Sequence, residues 1–355
     1  MNSIIGWLVA YLFRWFPHSS PTGLFPIGRP DENSPVIVTA NFSLTVKRVK
    51  KALKGANLWL LVANTDGINV WCAAGGAIFT HNRIIDAVKV SGLADKVSHR
   101  EIILPTLSAP GIERNAIENE TGFRAVFGPV YARDIPTYLN AGQKKSESMR
   151  RFNFDFKHRA DMFLSMNSLV YLLGALVTAI FFRRYFAGYT ALFWSAVAFL
   201  YLFINVIPGK TGWGQAFFSA SLFVLAGAAL SWYEFGQPFK YWGWFIAAFV
   251  IFFAAGFDLS GTASPRKSDA ELLMHRLGFK SFGSLLSEKD LGEIDIDIEK
   301  CKGCKTCSRI CPIGVFNGLN EAGKIAFYDR AACFACGACV KQCPEKALRI
   351  SSIHG

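Results

Sequence analysis

The 355-residue chain lacks the G-x-G-x-x-G run that follows a strand in dinucleotide-binding domains, so that class of N-terminal domain is disfavoured. No internal repeat is visible apart from one near the C-terminus. Acid is scarce: 26 Asp and Glu stand against 38 Lys and Arg, a net charge of +12. That excess does not form a nucleic-acid stripe. Lys144, Lys145, Arg150, Arg151, Lys157 and Arg159 crowd before an apolar region, and Arg266 and Lys267 follow it. Such placement reads as the flank of a membrane, and no nucleic-acid partner is expected. The apolar start, 4-IIGWLVAYLFRWF-16, is too short for an ordinary span and has no small-residue cleavage site, which excludes a secretory signal. It reads as an interfacial anchor, with Trp7, Tyr11 and Trp15 at headgroup level, inside an anchor-and-linker segment 1–30. Cysteine is missing from most of the chain: of nine, only Cys72 precedes residue 301.

The other eight form two copies of C-x-x-C-x-x-C-x-x-x-C-P, at Cys301, Cys304, Cys307, Cys311 and at Cys333, Cys336, Cys339, Cys343. This is the run of two-cluster bacterial ferredoxins, in which the fourth cysteine ligates the other cluster. Two [4Fe–4S] clusters are therefore expected, one on Cys301, Cys304, Cys307 and Cys343, the other on Cys333, Cys336, Cys339 and Cys311. Disulfides or structural zinc are the competing readings, and the doubled spacing with Pro312 and Pro344 in matching places argues against both.

The apolar fraction of 52% and mean hydropathy of +0.27 exceed those of ordinary soluble domains. The excess lies in four stretches, 163–182, 188–207, 214–232 and 242–258, each near the ~20 residues needed to cross a membrane. Breaks at Arg183-Arg184, Pro208-Gly209-Lys210 and Gly236-Gln237-Pro238 separate them. Before them, short apolar runs at 35–41, 57–64, 101–105 and 124–130 alternate with helix-like segments, the pattern of a doubly wound parallel sheet. Ligands of such sheets bind beyond the carboxyl ends of the strands. Cys72 falls in the loop there, between Asn64 and Gly76. A lone cysteine is by default a buried, inert residue; this position opposes that default. The reading is multidomain: an α/β doubly wound domain at 31–160, an all-α transmembrane domain at 161–262, a linker with an amphipathic helix capped by Ser268 or Asp269 at 263–292, and an α+β two-cluster ferredoxin domain at 293–355.

The segment NVWCAAGG around Cys72 resembles the cap helix of the corrinoid protein of mercury methylation (HgcA type), a relative of the corrinoid iron–sulfur protein of acetyl-CoA synthesis. PVIVTANFSLT, LLVANTDGINVWCAAGG, VSHREIILPTLSAPG and TGFRAVFGPVYARDIPTYL resemble that family's blocks in its order, and the tail resembles its separate ferredoxin partner (HgcB type), here in the same chain. The resemblance implies a corrinoid, with Cys72 as lower axial ligand of cobalt and the catalytic residue, and Asn69, Val70, Trp71 and Ala73 shaping the cap. It implies that Thr39, Asn41, Thr65, Leu104, Pro105, Gly128, Pro129 and Val130 line the corrinoid face. The activity implied is corrinoid-dependent methyl transfer. The methyl group comes from a partner methyltransferase or a methyl-folate or pterin carrier and goes to Hg(II) or another electrophilic acceptor. The ferredoxin part, fed by an external low-potential donor, restores Co(I). The family has five spans; four are read here, because an even count keeps both cofactor domains on the cytoplasmic face of a multi-pass inner-membrane protein, in contact with its lipid. Two departures stand out: Gly75-Gly76 replaces the family's Gly-Lys, and Ser351-Ser352 lies where the partner family has a cysteine pair for Hg(II). The alternative is a membrane-bound electron-transfer ferredoxin protein without methyl transfer.

Overall fold

The computed structural model describes residues 4–14, 16–208, 212–237, 242–259, 292–327, 333 and 335–352. Trp15 and the expected amphipathic helix between 263 and 291 lie outside them. The chain divides into two units, the first containing Phe16–Phe152 and Lys280–Gly355, the second Asn153–Phe279 with Tyr11–Trp15. Helix α1 (Ile4–Leu12) runs from one into the other.

In the first unit, strands β1 (Gly23–Ile27), β2 (Val36–Ala40), β3 (Leu58–Ala63), β4 (Glu101–Leu104) and β5 (Arg124–Phe127) form a sheet in the order β1-β3-β2-β4-β5. Strands β2 to β5 are parallel, and their order reverses between β2 and β4. VIVTA and LWLLVA carry almost no polar side chain because central parallel strands are covered on both faces. Alternate residues serve opposite cores. Val36, Val38 and Leu61 pack with α3 (Val70–Gly75), α4 (His81–Val90) and α5 (Arg114–Thr121). Ile37, Leu60 and Val62 pack with α2 (Ser43–Ala52) and α6 (Ile135–Asn140) on the other side. Each helix brings a short stripe to its core, such as Ile84, Ile85 and Val88 from α4. β1, which falls in the segment read as linker, is an antiparallel edge strand on β3; its proline is tolerated at the edge, where one side of the ladder needs no donor. Helix α7 (Glu147–Arg150) closes this part, capped by the Ser146 hydroxyl.

The same unit contains the cysteine-rich tail. β6 (Gly292–Ile296) pairs with β9 (Leu348–Ser352), and β7 (Phe316–Leu319) with β8 (Ile325–Phe327), both antiparallel. Two short helices, α12 (Thr306–Ile310) and α13 (Ala338–Lys341), each carry the third cysteine of a motif, Cys307 and Cys339. They are α+β pieces too small to bury much on their own, and cysteines make up a large part of their core.

The second unit is helical: α8 (Phe156–Phe181), α9 (Phe186–Phe203), α10 (Gly212–Phe235) and α11 (Trp242–Leu259). Three stretches among the described residues, Phe156–Phe181, Arg183–Phe203 and Trp213–Phe235, are long and apolar enough to cross a membrane, with 28%, 28% and 22% of each span buried. The rest of each span, including Leu173, Leu176, Ile180, Leu225 and Trp232, turns apolar surface outward, which suits lipid. The fourth expected span is helical but shorter, its apolar part running Trp242–Gly256. Several polar groups are satisfied internally, as hydrocarbon demands, the buried Ser219 hydroxyl of α10 being an exception among the described residues. The hydroxyls of Ser165 and Ser168 and the Asn167 amide donate to carbonyls one turn back. Gln215 donates to the carbonyls of Ile204 and Ile207, and Arg159 to that of Leu202, closing the open end of α9. Tyr11 donates to the Asp161 carbonyl, and Arg14 pairs with the Asp161 carboxylate at 3.4 Å.

Candidate functional site

Beyond the carboxyl end of β3 the chain turns on a small hydrogen-bonded knot. The Asn41 side-chain oxygen Oδ1 accepts from the Thr65 amide at 2.9 Å, the Thr65 hydroxyl at 3.0 Å and the Gly67 amide at 3.0 Å. Gly67 is required there: its φ is +74, and a Cβ would meet the backbone nitrogen of Ser19 at 2.8 Å. The knot releases the chain into α3, whose first residues carry the thiol. Asn69 caps the helix with its side-chain oxygen on the Cys72 amide at 3.0 Å, while its side-chain NH2 donates to Cys72 Sγ at 3.3 Å. Cys72 is exposed, contrary to the default for a lone cysteine. Ala74 and Phe79 meanwhile anchor the far side of α3 and the turn after it.

Of the other residues expected around the ligand, Asn69, Trp71 and Pro105 are half-buried at this edge. Thr39, Asn41, Thr65, Val70, Ala73, Leu104, Gly128, Pro129 and Val130 are buried. They stand at the strand ends as expected, but cover one another instead of presenting an open face. Asn41 and Thr65 build the loop that carries Cys72, and Gly128 accepts hydrogen bonds from the Thr106 hydroxyl and, at 3.1 Å, from Lys145. Burial pushes the Lys145 amine down to about 8, with Arg150 and Arg309 adding to the effect. An exposed thiol at the strand-end edge, held by Asn69, could serve as a ligand to a metal bound there.

In the tail, one cavity is lined by Cys311, Cys333, Cys336 and Cys339, and a second by Cys301, Cys304, Cys307 and Cys343. Each motif thus sends its fourth cysteine to the other's set. Among the described residues no three His, Cys, Asp or Glu close on a single-ion site. Four thiols around a cavity instead fit a multi-iron cluster, and the structural-zinc reading loses its geometry. Burial pushes the Cys307 thiol up to about 12 and the Cys339 thiol up as well, so bound iron must supply the energy to ionise them. The Thr306 hydroxyl lowers Cys304, which is exposed.

The tail is fastened to the α/β part by contacts that neither motif reading nor charge counting brought out. Gln342, buried between Cys339 and Cys343, donates to the carbonyls of Ile112 at 2.7 Å and Ala109 at 3.1 Å and accepts from Arg114 Nε at 3.1 Å. Lys341 pairs with Glu113 and holds its carboxyl below the usual range. Arg151 donates to the carbonyls of Cys311 at 2.8 Å and Ser308 at 3.1 Å, and the Phe152 amide to that of Pro312 at 2.7 Å. At least four of the six basic residues that precede the apolar region, Lys145, Arg150, Arg151 and Arg159, thus have partners inside the protein.

Comparison with known proteins agrees with this division. Residues 13–139 match the family described as CO dehydrogenase/acetyl-CoA synthase delta subunit, and residues 300–348 match the 4Fe-4S dicluster domain. Over 125 residues the chain is 45% identical to the acetyl-CoA decarbonylase/synthase complex subunit gamma of Methanocaldococcus jannaschii, covering 35% of this chain and 25% of that protein. The corresponding subunit of Methanopyrus kandleri is 35% identical over 125 residues, covering 35% of this chain and 27% of that protein. The chain therefore spans about a quarter of the length of these curated relatives.

Proposed function

We propose that this chain is a membrane-anchored methyl carrier that binds a corrinoid over the carboxyl edge of a doubly wound sheet, with two [4Fe–4S] clusters in its tail. The observation that carries the reading is the exposed Cys72 thiol, held by Asn69 at the strand-end edge and lying within the matched residues 13–139. When bound, the corrinoid supplies a cobalt that takes up and releases a methyl group, and the clusters supply low-potential electrons. The protein's part is positional. Asn69 orients the sulfur, the Asn41 knot sets the height of α3, and the buried strand-end residues make a firm floor. A thiolate ligand from Cys72 adds electron density to the metal, which suits transfer to an electrophilic acceptor such as Hg(II). The mercury reading rests on the resemblance of NVWCAAGG. The methyl donor, a methyltransferase or a folate- or pterin-type carrier, comes from outside the chain, as does the electron donor.

That the sheet and the cysteine-rich tail share one unit supports a reading in which both lie on one face of the membrane. That reading calls for an even number of crossings, with α11 as the fourth, and for the reducing cytoplasm as the face that preserves the clusters. Metal analysis with an optical spectrum of the purified chain tests the reading. About one cobalt beside about eight irons per chain supports it; iron without cobalt after corrinoid-replete growth supports a membrane electron-transfer protein instead.

A further inference from the structure

The two thiol sets are not equivalent in their surroundings. Cys311 offers its carbonyl to Arg151, and the next residue, Pro312, accepts from Phe152. Cys339 lies in α13, whose end is pinned by Lys341 on Glu113 and by Gln342 on Ala109 and Ile112. Ala109 and Phe127 complete the same apolar cluster as Cys339 and Cys311. The turn Thr106–Gly111, to which Gln342 is bonded, leads on from β4 and packs under the Cys72 helix so closely that a Cβ on Gly111 would meet the Phe79 carbonyl oxygen at 2.2 Å. The surroundings of Cys304 are the opposite. It is exposed, and Lys302 and Lys305 beside it are exposed.

We propose an order for the two sites: the set Cys311, Cys333, Cys336, Cys339 holds the inner cluster, facing the Cys72 edge, and the set Cys301, Cys304, Cys307, Cys343 holds the outer cluster, where an external one-electron carrier docks. The order rests on iron–sulfur occupancy of both sets and is independent of what Cys72 binds. A reduced carrier of low potential gives one electron to the outer cluster and is itself oxidised by one; the electron moves to the inner cluster, leaving the outer one oxidised, and passes across the turn Thr106–Gly111 to a one-electron-accepting metal centre at the Cys72 edge, which is reduced by one as the inner cluster is reoxidised. Gln342 is the positioning residue, because its three hydrogen bonds fix the inner set against that turn.

The test uses the full chain, purified in detergent from cells grown without corrinoid. With eight thiols bound to iron, a maleimide-linked gadolinium(III) chelate, a spin label that dithionite does not reduce, labels Cys72 alone. After reduction with dithionite, the dipolar coupling between label and reduced clusters is measured by pulsed electron paramagnetic resonance. Replacing Cys301, Cys304, Cys307 and Cys343 together by serine, which removes the outer cluster and leaves Cys72 the one reactive thiol, is expected to keep the strong coupling; replacing Cys311, Cys333, Cys336 and Cys339 together by serine, which removes the inner one, is expected to weaken it several-fold. The reverse pattern, or equal coupling in both variants, overturns the order. Gln342→Ala retains every thiol and guards against loss of folding in the serine variants: with iron content unchanged, its coupling should weaken and broaden, and an unaltered coupling would remove Gln342 from the scheme. Cobalt content is read in a separate preparation, so failure of the corrinoid reading and failure of this order are told apart.

Discussion

The proposed chemistry of the chain would concentrate on one atom, the Cys72 sulfur. With its amide and its sulfur both tied to Asn69, the thiol has a defined direction before any ligand arrives. Cys72→Ala is expected to keep the full iron content, shift the corrinoid absorption and abolish methyl transfer; transfer at the wild-type rate would rule out a thiolate ligand. Lys145 allows a test of a different kind. Folded, it titrates at about 8, whereas an unfolded lysine stays near 10.5. The unfolded chain therefore binds more protons in that window, and stability rises as pH climbs from 8 toward 10.5. Lys145→Met, which leaves the Gly128 carbonyl its bond from Thr106, should gain on the order of 1 kcal/mol at pH 7. Thermal melts of the two proteins should converge by pH 10; a gap that widens with pH would contradict the assignment. Spacing and resemblance made Cys72 and the eight ligating cysteines legible. Gln342 and Arg151 were not, because a glutamine between cluster cysteines and an arginine before an apolar helix have no pattern of their own until the chain has folded.

At the scale of elements, the crossed wiring of the cysteines was readable because two prolines and two spacings repeat, while β1 was hidden by its proline and short length. Cys311→Ala should therefore damage the cluster of Cys333, Cys336 and Cys339. In reduced-state spectra of Cys311→Ala, the surviving signal should be the one that replacing Cys301, Cys304, Cys307 and Cys343 together by serine eliminates; survival of the other would break the crossover. Strand β9 bears on the mercury reading. Ser351 and Ser352 are not a loose end but ladder residues opposite Glu293 and Gly292. With no spare thiol in the chain, methylmercury formation at trace Hg(II) is expected to be low, and Ser351→Cys with Ser352→Cys should raise it. Robust formation by the unmodified chain would show that delivery needs no protein thiol there.

For the whole molecule the decisive quantity is the number of crossings. The three long helices were legible from composition; the fourth was legible as apolar but not as to length, since side-chain pattern does not fix where a helix ends. If α11 crosses, reporters inserted after Gly142 and after Ile207 and fused at the C-terminus should all read cytoplasmic, while one after Gly236 reads external. A C-terminal reporter on the external face would leave three crossings and separate the tail from the sheet.

The fastening of tail to sheet consists of a few side chains: Gln342, Arg151, Lys341 and their partners. Between two separate proteins so small a set of bonds would give only a passing encounter at cellular concentrations. Within one chain the same bonds act against an effective concentration set by the connecting segment, of the order of millimolar for short flexible connections. Dilution therefore does not part the two sites, and a contact too weak to hold strangers together can be released and remade many times without the partners being lost to one another.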